Sequence, residues 1–269
     1  MTTITKEQYH YLQSFLPKVK RRPLKYSYQS ILNAILYIVR TGCQWRELPP
    51  HFPPWETIYY HYRRLINLGY WEKVLHYTTQ LIRIRKQQTR VTNKVIVDSQ
   101  SVKCTKSCGI RGIDGNKKVK GIKRHRITDM EGLPIVTTIT KASSGDRLGA
   151  KEMISRYKGK LEQLEVKEFF CDQGYSGKLF RNTIAKLTGA VVTVVPRESK
   201  ELGFVPLPNR WVIERTNAWC DDYRRLWKAC EGLVEVNEAV VTITDTFRAV
   251  RRLTNGKSKR WISRGRKLV

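Results

Sequence analysis

From about residue 93 the chain alternates short β-branched or aromatic runs with helical segments. The order of those segments restricts the fold more than any other feature. KVIVDSQSV (94–102) is β-rich, and RHRITDMEGLPIVTTITKA (124–142) divides into two strands around a turn at Glu131-Gly132. A helix is expected over 148–158, a strand over KEFFCD (167–172) and a helix over 178–187. VVTVVP (191–196) reads as a further strand, and a long helix begins near Asn209. Three strands followed by helix–strand–helix–strand–helix predict an α/β fold, a mixed five-stranded sheet flanked by helices.

Residues 1–88 read instead as a small all-helical domain. Thr5 with Gln8 three residues later forms a capping-box pattern, and Pro17 stops the helix it opens. Tyr28, Ile31, Leu32, Ile35, Leu36 and Val39 recur at helical spacing after Ser27, and Gly42 ends that run. Helices over about 56–68 and 71–85 follow a Pro-rich connection, WRELPPHFPPW. The polar stretch QQTRVTN then links to a second domain, 94–253, and 254–269 forms a basic tail. Tyr59, Tyr62, Arg63 and Arg64 are candidate DNA contacts on the third helix, although aromatics at helical spacing more often form core than contacts. The long Pro-rich connection does not match the short turn of a helix-turn-helix.

Charge narrows the partners. Lys and Arg number 51 against 23 acids, a formal net charge of +28. A surface this positive seeks a polyanion, and counterion release favours DNA. An anionic membrane or a ribosomal setting is the alternative, but seven Trp are many for a ribosomal protein. No apolar run approaches the ~20 residues that span a bilayer, and MTTITKEQYHYL lacks the charged-then-apolar order of a signal peptide. The chain is therefore expected in the cytoplasm, away from membranes. Six scattered cysteines show no disulfide framework and are expected to be free thiols. Cys104 and Cys108 lack the second Cys/His pair that a zinc site needs.

Two aspartates close apolar strands: Asp98 in VIVD and Asp172 in FFCD. One strand-end Asp is common in turns. Two, on parallel neighbours ~5 Å apart, would emerge together at the carboxyl edge where α/β sheets bind ligands. The helix expected over 209–230 offers a third acid. Val212, Trp219, Tyr223, Leu226 and Cys230 would pack on the sheet, leaving Arg210, Glu214, Asp221, Arg225 and Lys228 opposite. From spacing alone a solvated salt-bridge ladder explains Glu214 better than a site does. Three carboxylates would suit Mg²⁺, and paired ions clamp the attacking and leaving oxygens of a phosphoryl transfer. The glycine-rich loop over 103–126 carries Lys103, Lys106, Arg111, Lys117, Lys118, Lys120, Lys123, Arg124 and Arg126 against the single acid Asp114, and could grip a DNA backbone.

These residues fall in motifs that resemble, in order and over nearly the whole chain, bacterial insertion-sequence DDE transposases with an RNase H-like core, of the insertion-sequence-five family. GCQWRELPPHFPPWETIYYHYRRLINLGYWEKV resembles the family's N-terminal domain, and VIVDSQSVK its first-aspartate motif. GNKKVKGIKRHRITDMEGLP and ASSGDRLGA continue the likeness. CDQGYSG and NRWVIERTNAW resemble the second-aspartate and glutamate motifs. The resemblance implies that Asp98, Asp172 and Glu214 hold two Mg²⁺ or Mn²⁺ ions. It implies cleavage at the terminal inverted repeats of an element and transfer of the freed 3′-OH into target DNA, by a homodimer on paired ends at the bacterial nucleoid. Arg210, four residues before Glu214, is implied to position DNA. Leu207 stands where related motifs carry tyrosine, and Asp221 and Asp222 where a basic residue is frequent; Arg225 or Lys228 would substitute. His125 is either a phosphate contact or a structural histidine, and Asp146 suits the cap of the following helix. Two other readings are a catalytically silent, transposase-derived DNA-binding protein, which would bind without cutting, and a nuclease that hydrolyses without joining.

Overall fold

The computed structural model describes residues 3–18, 24–195 and 210–255. They form two compact units. One comprises residues up to 88, 222–227 and from 239 onward; the other comprises 89–221 and 228–238.

The first unit is helical: α1 (Lys6–Gln13), α2 (Tyr28–Thr41), α3 (Trp55–Asn67), α4 (Tyr70–Arg85) and the greater part of α9 (Val234–Thr254). Local chemistry sets the ends. Thr5 and Gln8 make the expected capping box, Ser27 caps α2, and Gly42 closes it in the left-handed conformation. The apolar stripe of α2 is buried at Ile31, Leu32, Ile35, Leu36 and Val39. α9 was not legible as an element beforehand, though Val236, Val240, Ile243, Phe247 and Val250 carry its spacing. Its second half packs Phe247 on Trp71, with ring centroids 5.4 Å apart, and Thr246 donates to the Trp71 carbonyl.

The second unit holds a six-stranded sheet: β1 (Lys94–Lys103), β2 (Gly112–Asp114), β3 (Val119–Asp129), β4 (Pro134–Lys141), β5 (Glu168–Cys171) and β6 (Val191–Val194). The order is β2-β3-β1-β5-β6, with β4 also on β3. β1 is antiparallel to β3 and parallel to β5, so it joins an antiparallel meander to parallel crossovers. α5 (Asp146–Arg156), α6 (Lys158–Gln163) and α7 (Lys178–Thr188) serve one face. There Val95, Val97, Ile127, Met153, Ile154, Phe169, Phe180, Ile184 and Val192 form the main core. On the other face α8 (Arg210–Ala218) buries Val212 and Ile213 against Ile96, with Phe170 and Met130 beside them. The architecture is RNase H-like, as expected.

Two expectations fail locally. The stretch taken as a flexible loop is largely the β2–β3 hairpin, because Gly112, Ile113 and Asp114 find ladder partners in Gly121, Lys120 and Val119. The long helix over 209–230 is instead α8, ending at Ala218, followed by 3-10 turns at Trp219–Asp222 and Arg224–Leu226. Tyr223 consequently lies in the helical unit under the Arg40 guanidinium, not on the sheet.

Candidate active site

Strand register brings the two aspartates together. Lys94, Val95 and Ile96 stand level with Glu168, Phe169 and Phe170. Two further steps set Asp98 level with Asp172, which directly follows the last residue of β5. Side-chain alternation puts Asp98 on the face of Ile96, the one α8 covers. Cys171, between the acids, registers both: burial pushes its thiol up, and the negative charges of Asp172 and Asp98 push it further. Asp172 is also a turn former, accepting from the Gly174 amide at 2.9 Å.

The turn between β3 and β4 positions α8. Asp129 Oδ1 accepts from the amides of Glu131 and Leu133, and Gly132 adopts φ +75°. A Cβ on Gly132 would stand 2.6 Å from Thr216 Oγ1, so only glycine lets this helix approach. Thr216 then donates to the Gly132 carbonyl at 2.9 Å, and Arg215 to that of Glu131 at 3.3 Å.

So held, α8 reaches Asp98. Asn217 Nδ2 donates to Asp98 Oδ2 at 3.2 Å, and its Oδ1 accepts from Arg126 Nη1 at 3.2 Å. Arg126 is buried, stands level with Asp98 across the β1–β3 ladder, and donates also to Cys220 Sγ at 3.0 Å. Reading the sequence assigned Asn217 no role of its own and set Arg126 among the cations that could grip a DNA backbone, whereas burial turns Arg126 to Asn217 and Cys220 instead. The available signals were the place of Asn217 three residues after Glu214 and the strand alternation that pairs Arg126 with Asp98. Glu214 itself is exposed on α8, roughly 60° around the helix from Asn217. Among the described residues no group of three or more His, Cys, Asp or Glu side chains is set to hold a metal ion. Asp98 and Asp172 thus share an edge of the sheet, and Glu214 is not joined with them into such a group. The pair alone fits Mg²⁺ or Mn²⁺ in donor chemistry, because a hard ion of this kind is usually held by one or two carboxylates with substrate phosphates and water.

Behind β1 lies a polar layer. Asp146 is not the cap expected: Gly145 occupies the N-cap of α5 without a side-chain bond. Asp146 instead accepts from Ser99 Oγ at 2.6 Å and pairs with Lys123 Nζ at 2.9 Å. Burial raises its carboxyl, but Lys123 and Ser99 outweigh that and hold it below the usual carboxylate range. Asp114 bonds Ser101 and the amides of Lys117 and Asn116, and is held down at about 2, chiefly by Ser101. Tyr175, 1% exposed, keeps its phenol protonated through burial, reinforced by the charges of Asp98 and Asp146.

Several expected DNA contacts are placed inside. Lys123, Arg124 and His125 are buried. Lys123 is held by Asp146, Asp114 and the Ser144 carbonyl. His125 lies 2.9 Å from Thr140 Oγ1, and burial lowers it to about 4. His125 is therefore a structural histidine rather than a surface phosphate contact. Arg225 donates to the Cys43 carbonyl at 3.0 Å in the helical unit, because the helix that would have carried it on the Glu214 face ends at Ala218. Lys117, Lys118, Lys120 and Lys228 are exposed, and Arg63 and Arg64 are half-buried. Tyr62 is a core residue. The Arg210 side chain, Leu207 and the basic tail from 256 lie outside the described residues. All six cysteines are free, and no described helix is long and apolar enough to cross a membrane.

An acid pair at the junction of β1 and β5, on an RNase H-like sheet, is the setting in which the comparisons fall. Residues 89–244 match the family described as "Transposase DDE domain", and the chain belongs to it. Residues 4–75 match the family described as "Putative transposase of IS4/5 family". A curated relative from Burkholderia cepacia, "Putative transposase for insertion sequence element IS402", is 26% identical over 129 residues, 46% of this chain. The match spans 60% of that relative's length. No solved structure matches.

Proposed function

We propose that the chain is a DNA transposase that cuts at the ends of an insertion sequence and joins the freed 3′-OH to target DNA. The observation that carries this is the Asp98–Asp172 pair at one edge of an RNase H-like sheet, within a stretch matching the transposase DDE domain. Asp98, Asp172 and Glu214 are assigned as the acids of the site. Glu214 rides the helix that Asn217 ties to Asp98, so a rotation of its side chain or a small slide of α8 on DNA binding would bring it in. Together the acids would hold two Mg²⁺ or Mn²⁺ ions, whose chemistry is to activate water or a 3′-OH and to neutralise charge on the phosphate.

The protein's own groups do the positioning. Asn217, itself held by Arg126, fixes the Asp98 carboxylate, and the Gly174 amide fixes Asp172. The exposed Lys117, Lys118, Lys120 and Lys228, with Arg63 and Arg64, would contact phosphates of terminal and target DNA, and Arg210 would position the ends. Pairing of two ends requires two copies of the site, hence a homodimer acting at the nucleoid.

The test is metal-dependent cleavage and joining of duplexes carrying the element's terminal repeats. The parent should lose both activities with a chelator, and Asp98→Asn and Asp172→Asn should abolish them. Cutting by Asp98→Asn at the parent rate would sink the assignment.

A further inference from the structure

The turn that follows β1 brings two thiols together. Cys104 comes directly after Lys103, the last residue of β1, and Cys108 lies four residues on. Between them the chain reverses. The Cys108 amide donates to the Thr105 carbonyl at 3.3 Å, and the Thr105 and Ser107 hydroxyls lie 2.7 Å apart. A turn of this kind holds its end residues within about 7 Å, and a disulfide needs Cα atoms about 4.4–6.8 Å apart. Both side chains accordingly enter one apolar cluster with Val102, Ile122 and Ala229, and the two thiols are within hydrogen-bonding reach of each other. Both are free.

The two differ in access. Cys108 is 3% exposed and donates from Sγ to the Ile110 carbonyl at 3.1 Å. Burial pushes its thiol up, so it keeps its proton. Cys104 is half-buried and opens into a cavity of about 410 Å³, within the range of small-molecule sites. Lys103, Lys106, Arg111, Lys118, Lys120 and Lys228 line that cavity, all of them exposed, and no acid joins them. Asp114, the single acid between residues 103 and 126, is turned inward onto Ser101 and Lys123. Such a wall draws small anions to Cys104 and turns cations away.

The backbone decides which thiol Cys104 meets. Ala229 accepts from the Thr105 amide at 2.9 Å and donates to the Lys103 carbonyl at 2.9 Å. Cys104 and Ala229 therefore share one side of this bridge, and alternation turns Cys230 to the other. Cys108 is the thiol left beside Cys104.

We infer that Cys104 and Cys108 form a thiol–disulfide exchange site whose oxidant is an anionic low-molecular-weight disulfide. The Cys104 thiolate attacks one sulfur of the small disulfide; the S–S bond breaks and one thiolate departs. Cys108 then attacks the Cys104 sulfur, its proton passes to solvent, and the second thiolate leaves. Two cysteine thiols are oxidised, the small disulfide is reduced to two thiols, and a Cys104–Cys108 disulfide remains. The bond locks the turn on which Ala229 rests. This site is independent of the acid pair and of the DNA chemistry assigned to it.

The probe is glutathione disulfide, which is anionic, with cystamine as its cationic counterpart. The full chain is treated with each, quenched by alkylation and digested with trypsin without reduction. Trypsin cuts after Lys103, Lys106 and Arg111, so the new bond is read by mass spectrometry as CTK joined to SCGIR. Glutathione disulfide should give that product about 10-fold faster than cystamine, or more. The variant K118Q/K120Q/K228Q alters only exposed side chains, and circular dichroism verifies its fold; its preference should shrink severalfold. Cys108→Ser should stop with glutathione on Cys104, and Cys104→Ser should leave Cys108 reduced. Equal rates with the two disulfides in the parent would overturn the choice of an anionic oxidant. Glutathione retained on Cys104 of the parent, with no CTK–SCGIR pair, would overturn the exchange site.

Discussion

Replacing Asn217 by alanine removes one amide that serves two charged groups. It donates to Asp98 Oδ2 at 3.2 Å and accepts from Arg126 Nη1 at 3.2 Å. A hydrogen bond to a charged group contributes about 1.5–3 kcal/mol, so the pair sets an upper bound of about 6. Two features lower that figure. Arg126 keeps Cys220 Sγ at 3.0 Å, and Asp98 is half-buried, so water can take the vacated place. Arg126 itself is 2% exposed and cannot recover its bond from solvent. A loss of about 3 kcal/mol is therefore expected, most of it from the arginine side. Native-state hydrogen exchange of amides in β1, β3 and α8 reports this for the sheet-bearing unit by itself. Asn217→Asp divides the two roles, because a carboxylate still accepts from Arg126 but cannot donate to Asp98. Its carboxylate also faces that of Asp98, and the repulsion offsets part of the gain, so it should regain only some of the stability and still cleave DNA about 10–100-fold more slowly than the parent, the usual effect of removing a partner that orients a metal-holding group. A loss under about 1 kcal/mol in Asn217→Ala would refute the bridging role. Parent-like cleavage by Asn217→Asp would refute the positioning of Asp98.

Three further outcomes are expected. Gly149→Ala places a Cβ 2.1 Å from His125 Nε2 and should cost about 1–3 kcal/mol, whereas Gly159→Ala on α6 meets nothing within 4 Å and should stabilise by about 0.5–1 kcal/mol; urea denaturation of both variants checks the contrast. His125, lowered to about 4 by burial, stays neutral in the fold while the unfolded chain takes up its proton near pH 6.5. Its contribution is thus full above ~6.5 and lost as pH falls towards ~4, by about 3 kcal/mol, and a His125→Gln variant should flatten the unfolding-versus-pH curve over that interval. DNA affinity should fall by orders of magnitude between ~50 and ~200 mM salt if several phosphates are contacted; a flat titration would remove the exposed lysines as the binding face.

Much of the fold was legible because its signals are local. Caps at Thr5 and Ser27, the stop at Gly42, the turn at Glu131-Gly132 and the alternation in β1 each depend on a few neighbouring residues. β2 was missed because a three-residue strand has no periodicity of its own and exists only through its ladder with β3. The periodicity assumed over 209–230 failed because a helical stripe does not reveal where partners change. The chain leaves α8 at Ala218 to pack Tyr223 and Arg225 in the helical unit.

The site divides in the same way. The sequence by itself determined that two strands each end in an aspartate, that a basic segment follows the first, and that the chain carries a large positive charge. Each is a property of residues adjacent along the backbone. Only the tertiary structure decided that Asp98 stands level with Asp172, that Asn217, held by Arg126, grips Asp98, and that Lys123, Arg124 and His125 turn inward. Burial and pairing depend on groups brought together from separate elements, 23 positions apart for Lys123 and Asp146 and 119 for Asp98 and Asn217. The energy that selects those arrangements comes from desolvation and charge at the point of contact, which no local spacing records.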